Sequence, residues 1–118
     1  MDKIQLRQLF DYDTWTYTYV LWDNNNKEAI IIDPVLEQAD RDLNFINKLG
    51  LKLVYIFETH VHADHITAAY TLKKKTSAKI CYGSKTGVEG ADLLLEDGQK
   101  IDFGNFKICA IHTPGHTE

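Results

Sequence analysis

The sequence predicts an α/β domain, and three features predict it. Short β-branched runs alternate with segments of helical period. One run, Leu51 to Phe57, has the length and apolar character of a buried strand, and it opens directly onto a dense polar cluster, Glu58 to His65. Strands alternating with helices build a sheet with helices packed on it. Polar residues gathered at the C-terminal end of a central strand are where such sheets carry their sites.

The elements follow in order. Ile4, Leu6 and Phe10 begin an extended pattern, and Thr14 to Leu21 alternates threonine with aromatic residues, as a half-buried strand does. Asp23 to Lys27, with three consecutive asparagines, forms a turn. Glu28 to Ile32 is a short β-branched run stopped by Asp33-Pro34, so the strands on either side of the turn pair as a hairpin. From Leu36 the period changes: Ala39, Leu43, Ile46 and Leu49 recur at spacings of four, three and three, on one helical face, and Gly50 is the stop. Leu51 to Phe57 is the buried strand. Ile66 to Lys75 reads as a helix with its lysines in the last turn, where they suit the helix dipole and are solvated. Ala78 to Tyr82 resumes as a strand. After a loop carrying Gly83, Gly87 and Gly90, Ile101 to Phe103 and Phe106 to Ile111 flank Gly104-Asn105 as a second hairpin.

Length and composition limit the functions available. A chain of 118 residues is one domain, residues 1–118, able to bury about two-thirds of its unfolded surface. With 44% hydrophobic and 25% charged residues it is neither disordered nor a disulfide-packed mini-protein. A net charge of −4, with no basic block longer than Lys73-Lys74-Lys75, offers nucleic acid no purchase. Cys81 and Cys109 stand far apart in strand-like surroundings and read as two buried free thiols of a reducing compartment. The first residues lack the apolar run of a signal peptide, no import sequence is recognisable, and no segment approaches the roughly 18 apolar residues of a membrane span. A cytoplasmic protein without a membrane partner is expected.

The chemistry concentrates in two motifs. His60, His62, Asp64 and His65 place four nitrogen or oxygen ligands within six residues. In extended chain, residues two apart point the same way, so His60 and His62 can converge on one metal ion. Asp64 and His65 stand where the chain enters a helix and can face a second ion or a bound water. The alternative for Asp64 is a structural one, capping the helix that begins near Ile66. No cysteine lies nearby, which argues against a closed structural zinc site; imidazole with carboxylate suits catalytic zinc, iron or manganese with open positions. The second motif, Ile111 to Thr117, follows a predicted strand, and its Pro114-Gly115 turn fixes the direction of the His116 ring. His112, at the strand's end, reads as a packed or hydrogen-bonded histidine rather than a ligand.

At these motifs, His-x-His-x-Asp-His and Thr-Pro-Gly-His-Thr, the chain resembles the metallo-β-lactamase superfamily. That resemblance implies an αβ/βα sandwich, of which this chain would be the N-terminal half: a mixed sheet with helices on one face, beginning with strands, an Asp-Pro turn like Asp33-Pro34, a helix, and a strand leading into the histidines. Within the superfamily, Thr59 to Ala69 and Gly87 to Asp92 look most like the persulfide dioxygenases. Glyoxalase II enzymes share the histidines but more often carry glycines where Ala68 and Ala69 stand. In the dioxygenases the resemblance implies a single Fe(II) held by His60, His116 and a later aspartate, with His62, Asp64 and His65 close by. In dinuclear relatives it implies two Zn(II): His60, His62 and His116 hold one, and Asp64 and His65 hold the other.

The family's domain is two similar halves packed sheet against sheet, and this chain stops just after His116. The expectation is therefore a truncated domain whose activity belongs to a longer protein. A sheet with helices on one face keeps a second apolar face, so the isolated half should aggregate or form a homo-oligomer. Three functions compete. The first is an Fe(II) dioxygenase converting a small-molecule thiol derivative, glutathione persulfide, to sulfite and glutathione. The second is a two-zinc hydroxyacylglutathione hydrolase, in which the metals activate water against a thioester. The third is a non-catalytic domain that acts by association. The residues after Asp64 favour the first over the second, and strands apolar on both faces, Ile30 to Ile32 and Leu53 to Phe57, argue against the third.

Overall fold

The computed structural model describes residues 4–59, 63–83 and 91–109, with side chains given outside 63–67. Two strands, β1 (Ile4–Asp11) and β2 (Thr16–Asp23), lead to β3 (Glu28–Ile32). A 3₁₀ turn (Leu36–Gln38) and helix α1 (Ala39–Lys48) then return the chain to β4 (Lys52–Phe57). Helix α2 (Ala63–Thr76) connects β4 to β5 (Lys79–Gly83). A short strand β6 (Leu93–Leu95) and a hairpin of β7 (Lys100–Phe103) and β8 (Phe106–Cys109) follow. The first six strands form one sheet in the order β1-β2-β3-β4-β5-β6, and the hairpin is a separate two-stranded sheet.

The sheet is mixed, as expected. β1, β2 and β3 pair antiparallel, whereas β3, β4, β5 and β6 pair parallel. The reason lies in the connections. Asp23 to Lys27 is short enough to close only a hairpin, and Lys27 donates its backbone N–H to the Asp23 carbonyl at 2.9 Å. The links from β3 to β4 and from β4 to β5 each contain a helix, which parallel strands require. The C-terminal ends of β3 to β6 therefore share one edge of the sheet with the β1–β2 turn; the β2–β3 turn lies at the opposite edge.

Both helices cover the same face. Val20, Ile31, Leu53, Ile56 and Ile80 from the strands pack against Leu43 and Ile46 of α1 and Leu72 of α2. On the opposite face Cys81 and Leu95 meet Ile101 and Ile108 of the β7–β8 hairpin, with Tyr55, Phe57 and Leu93 around them. Ile30 and Ile31, which point to opposite faces, are both fully buried. The hairpin covers only part of its face: Leu6 on β1 stays 61% exposed and Tyr17 on β2 stays 50% exposed. Among the described residues no helix is long and apolar enough to cross a membrane.

Several expectations need correction. The helical stripe ends earlier than its spacing implies, because Leu49 lies beyond α1 and is 40% exposed while Ala39, Leu43 and Ile46 are buried. Gly50, at φ +66°, turns the chain there, and the Leu51 N–H closes onto the Ile46 carbonyl at 3.0 Å. α2 starts at Ala63, three residues before the expected Ile66, so Asp64 lies inside the first turn and is not its N-cap. Cys81 is buried, and desolvation pushes its thiol up to about 12, but Cys109 is exposed because the alternation of β8 turns it outward. Lys73 does more than solvate a helix end: its Nζ holds Asp92 at 2.7 and 2.9 Å, and Asp92 in turn accepts the Ile80 backbone N–H at 2.8 Å. β6 was not predicted, since three leucines beside a glycine-containing loop have no length from which to read a period.

Asp42 is fully buried on α1, beside Arg41 at 3.1 Å. Desolvation raises its carboxyl to about 6, with the Arg41 charge opposing the rise. A raised folded-state value means that the folded protein binds a proton which the unfolded chain has already released. Stability from this group is therefore present below about pH 4 and lost as pH rises through 6. Asp42→Asn should gain stability over wild type between pH 4 and pH 7, by up to about 3 kcal/mol for a shift of roughly two pH units. Denaturant unfolding at both pH values reads the difference; parallel pH profiles for the two proteins would refute it.

Candidate functional site

The site is built on the junction where β3 ends, and Asp33 holds it. The Asp33 N–H continues the parallel ladder to the Phe57 carbonyl at 2.8 Å, and its own carbonyl accepts the Thr18 hydroxyl at 2.8 Å. Its φ of +56° is one that asparagine and aspartate tolerate better than other side chains. This backbone turn directs the carboxylate across the end of β4. There Oδ1 accepts the Thr59 N–H at 2.8 Å and Oδ2 accepts the Thr59 hydroxyl at 2.6 Å. Both bonds end on a carboxylate, which makes them charge-assisted. The chain is thus fixed at the residue immediately before His60.

Glu58 lies under this junction, 5% exposed, and its N–H donates to the Cys81 carbonyl at 3.1 Å. Burial first, and then the neighbouring Asp33 charge, push its carboxyl up to about 10, with a side-chain hydrogen bond between the two. At neutral pH Glu58 is therefore a protonated acid, hydrogen-bonded to Asp33. Tyr82 packs beside them, 2% exposed; burial and then the Glu58 and Asp33 charges raise its phenol.

The β1–β2 turn borders the same edge. Asp11 accepts the Thr14 N–H at 2.9 Å and the Thr14 hydroxyl at 2.6 Å on Oδ2, and the Gln38 amide at 2.9 Å on Oδ1. Arg41 donates to the Phe10 carbonyl at 2.8 Å. These contacts tie the turn to the start of α1 while leaving Tyr12 and Trp15 outward, 79% and 77% exposed.

Of the residues singled out from sequence, His60, His62, His112 and His116 lie outside the described residues, as do 87–90 of the second dioxygenase-like stretch. Asp64 and His65 lie in the first turn of α2, the helix that follows β4. The described ends of the motif, Glu58-Thr59 after β4 and the start of α2 at Ala63, lie at the edge where β3, β4 and β5 end, which is where a parallel sheet places its ligands. Among the described residues no three His, Cys, Asp or Glu side chains gather as a metal set. The donor set suits a metal with open positions: imidazole and carboxylate, with the buried Cys81 held as a thiol. Sequence reasoning missed the work of Asp33 and Glu58. Asp33 was visible only as an Asp-Pro strand stop, and Glu58 only as the first residue of the polar cluster; their pairing needs β3 and β4 side by side.

Comparison with known proteins defines the class. The model of the metallo-beta-lactamase superfamily matches residues 14–118, and the chain belongs to that family. The fold agrees: a metallo-beta-lactamase from Staphylococcus aureus superposes over 97% of this chain and 34% of its own, with a TM-score of 0.82 at 25% identity. Within the family, the chain is similar to the human mitochondrial persulfide dioxygenase ETHE1, 45% identical over 97% of this chain and 45% of that protein. The crystal structure of ETHE1 from Myxococcus xanthus gives a TM-score of 0.80 at 44% identity, over 87% of this chain and 45% of its own. A hydroxyacylglutathione hydrolase from Crocosphaera subtropica is 36% identical over 86% of this chain and 40% of that protein. The chain spans less than half the length of these relatives.

The Asp33–Thr59 bonds yield a direct expectation. Asp33→Ala should cost about 2–4 kcal/mol, because it removes two charge-assisted bonds at a half-buried junction, and Thr59→Val about 1–2 kcal/mol. In a double-mutant cycle by denaturant unfolding the two losses should not add. Additive losses would mean that the two side chains do not act as one anchor.

Proposed function

We propose that this chain is the metal-binding, N-terminal half of an iron-dependent persulfide dioxygenase acting on a small thiol derivative of the glutathione persulfide type. The observation that supports it is the identity: 43–45% with mammalian persulfide dioxygenases over 97% of the chain, against 36% with the hydroxyacylglutathione hydrolase over 86%. In this reading His60 and His116 are protein ligands of Fe(II), with a further carboxylate from beyond this chain. His62, Asp64 and His65 surround them. Fe(II) there would supply open coordination positions for substrate sulfur and for dioxygen. The reaction balances with one dioxygen and one water per persulfide: four electrons pass from the sulfane sulfur to dioxygen, the sulfur–sulfur bond breaks, and sulfite and the free thiol leave.

The described residues fit such a centre through what they fix. The Asp33–Thr59 anchor holds the approach to His60, and α2 starts close enough behind it to carry Asp64 and His65 back toward the same edge. Glu58, neutral at pH 7, adds no second charge beneath the motif.

The whole protein, purified without oxygen, should hold one iron per subunit and consume dioxygen with glutathione persulfide. His60→Ala should empty the site. About two zinc ions per subunit, with thioester hydrolysis and no oxygen uptake, would assign the protein to the two-zinc hydrolases instead.

Asp64 separates the two chemistries by stoichiometry. Beside a single iron it orients a ligand histidine or a bound water, so Asp64→Ala should weaken metal binding or activity about 10–100-fold without abolishing it. As a ligand of a second ion, its loss should remove about half the bound metal. Elemental analysis beside wild type reads the outcome, and unchanged metal and activity would contradict both roles.

A further inference from the structure

The hairpin that precedes the His116 motif in sequence is held at the edge of the sheet opposite the C-terminal ends of β3 to β6. β7 runs away from the site edge, turns at Gly104-Asn105, and β8 runs back to end at Cys109, seven residues before His116. Among the described residues the hairpin shares no strand ladder with the main sheet. Over its length it touches the sheet through apolar contacts, Ile101 and Ile108 against Cys81 and Leu95. Apolar contact is non-directional and by itself leaves a two-stranded unit free to slide.

At the turn the contacts are directional. The fully buried Asp23, the last residue of β2, accepts the Asn105 N–H on Oδ2 at 2.9 Å and the Asn25 N–H on Oδ1 at 2.8 Å, so one carboxylate bridges the β2–β3 turn and the hairpin turn. Glu28, the first residue of β3, accepts the Gly104 N–H on Oε1 at 2.7 Å, and its own N–H is held by Asn26 Oδ1 at 3.0 Å. The turns approach so closely that a Cβ on Gly104 would stand 2.6 Å from Asp23 Oδ2 and 2.9 Å from Asn26 Oδ1; its φ of +56° also favours glycine. Bonds from backbone amides to Asp23 hold its carboxyl below the usual range, the Asn105 bond foremost.

We propose that Asp23 and Glu28 are positioning residues for the His116 arm: by clamping the distal turn they set the register of the β7–β8 hairpin, and with it the place at which β8 delivers the chain to the metal centre. The inference rests on the metal reading above. A ligand set tolerates errors of only about 0.5 Å, and a hairpin free to slide along an apolar face would exceed that. The clamp fixes the sliding coordinate from the end where no ligand stands.

The test uses the whole protein, metal-free, titrated with Co(II) as a spectroscopic probe. Glu28→Ala and Gly104→Ala should each weaken Co(II) affinity about tenfold, in the range seen when groups that orient ligands are lost, and should alter the visible ligand-field bands. Glu28→Gln should restore both, because its amide oxygen can still accept the Gly104 N–H. Ile46→Val, in the helix-side core, supplies a control that is destabilised without touching the clamp, and it should keep wild-type affinity and spectrum. Wild-type Co(II) binding in folded Glu28→Ala and Gly104→Ala would overturn the proposal and leave the clamp a stabilising contact only. Failure of both variants to fold, with Glu28→Gln no better, would overturn it as well, since the clamp would then belong to the fold's stability. A wild-type protein that binds no Co(II) would refute the metal reading itself.

Discussion

The structure depends on what a single carboxylate does at the end of β3. A parallel sheet finishes each strand with backbone groups that the ladder no longer satisfies, and at this edge the chain must also leave β4 in a defined direction. Asp33 meets both needs. Its N–H and C=O are used by β4 and β2, and both carboxylate oxygens go to Thr59, so the end of β3 and the exit from β4 form one rigid unit. The left-handed backbone at Asp33 makes this possible, because an extended residue would carry its side chain onto one face of the sheet instead of across its end. Local strain of this kind persists where surrounding bonds over-determine it, and here four bonds do so.

The sheet then divides its labour by face and by edge. One face belongs to α1 and α2, whose apolar stripes bury Ile31, Ile56 and Ile80. The other belongs in part to the β7–β8 hairpin and in part to nothing among the described residues, and the family's two-layer sandwich explains why strands this apolar leave Leu6 and Tyr17 in water. The edges differ too. At the site edge Asp33 receives hydrogen bonds from the β4 exit; at the far edge Asp23 and Glu28 receive them from the hairpin turn. The two segments that lead into the histidine motifs are each tied by carboxylates at the ends of β2 and β3, so the antiparallel part of the sheet serves as the common frame.

Most of this was legible in sequence where a pattern had length. The β2–β3 hairpin, α1, β4, α2, β5 and the second hairpin all follow from alternation, helical spacing or turn residues, and the histidine spacing identified the family. What was not legible fell into two kinds. Boundaries moved where a cap decides them: Leu49 fits the α1 stripe by spacing, but Gly50 ends the helix first, and α2 begins at Ala63, before its apolar residues start. Long-range pairings were invisible altogether. Nothing near Lys73 announces Asp92, and nothing near Gly104 announces Asp23, because these residues become neighbours only once strands far apart in sequence lie side by side.

The pairing of Glu58 with Asp33 shows how such neighbours set chemistry as well as shape. Two carboxyl groups in contact under a packed sheet cannot both ionise at neutral pH without a cost that burial makes large. Burial first, and then contact with Asp33, push the Glu58 carboxyl up; its N–H is held by Cys81 and its surroundings include the buried Tyr82. Asp33 accepts both of its bonds from Thr59 beside this contact. At this buried site Glu58, its carboxyl raised, shares a hydrogen bond with Asp33 beside the two bonds from Thr59. In sequence Glu58 is only the first residue of the polar cluster. The fold makes it a proton-bearing support for the residue that directs the chain toward His60.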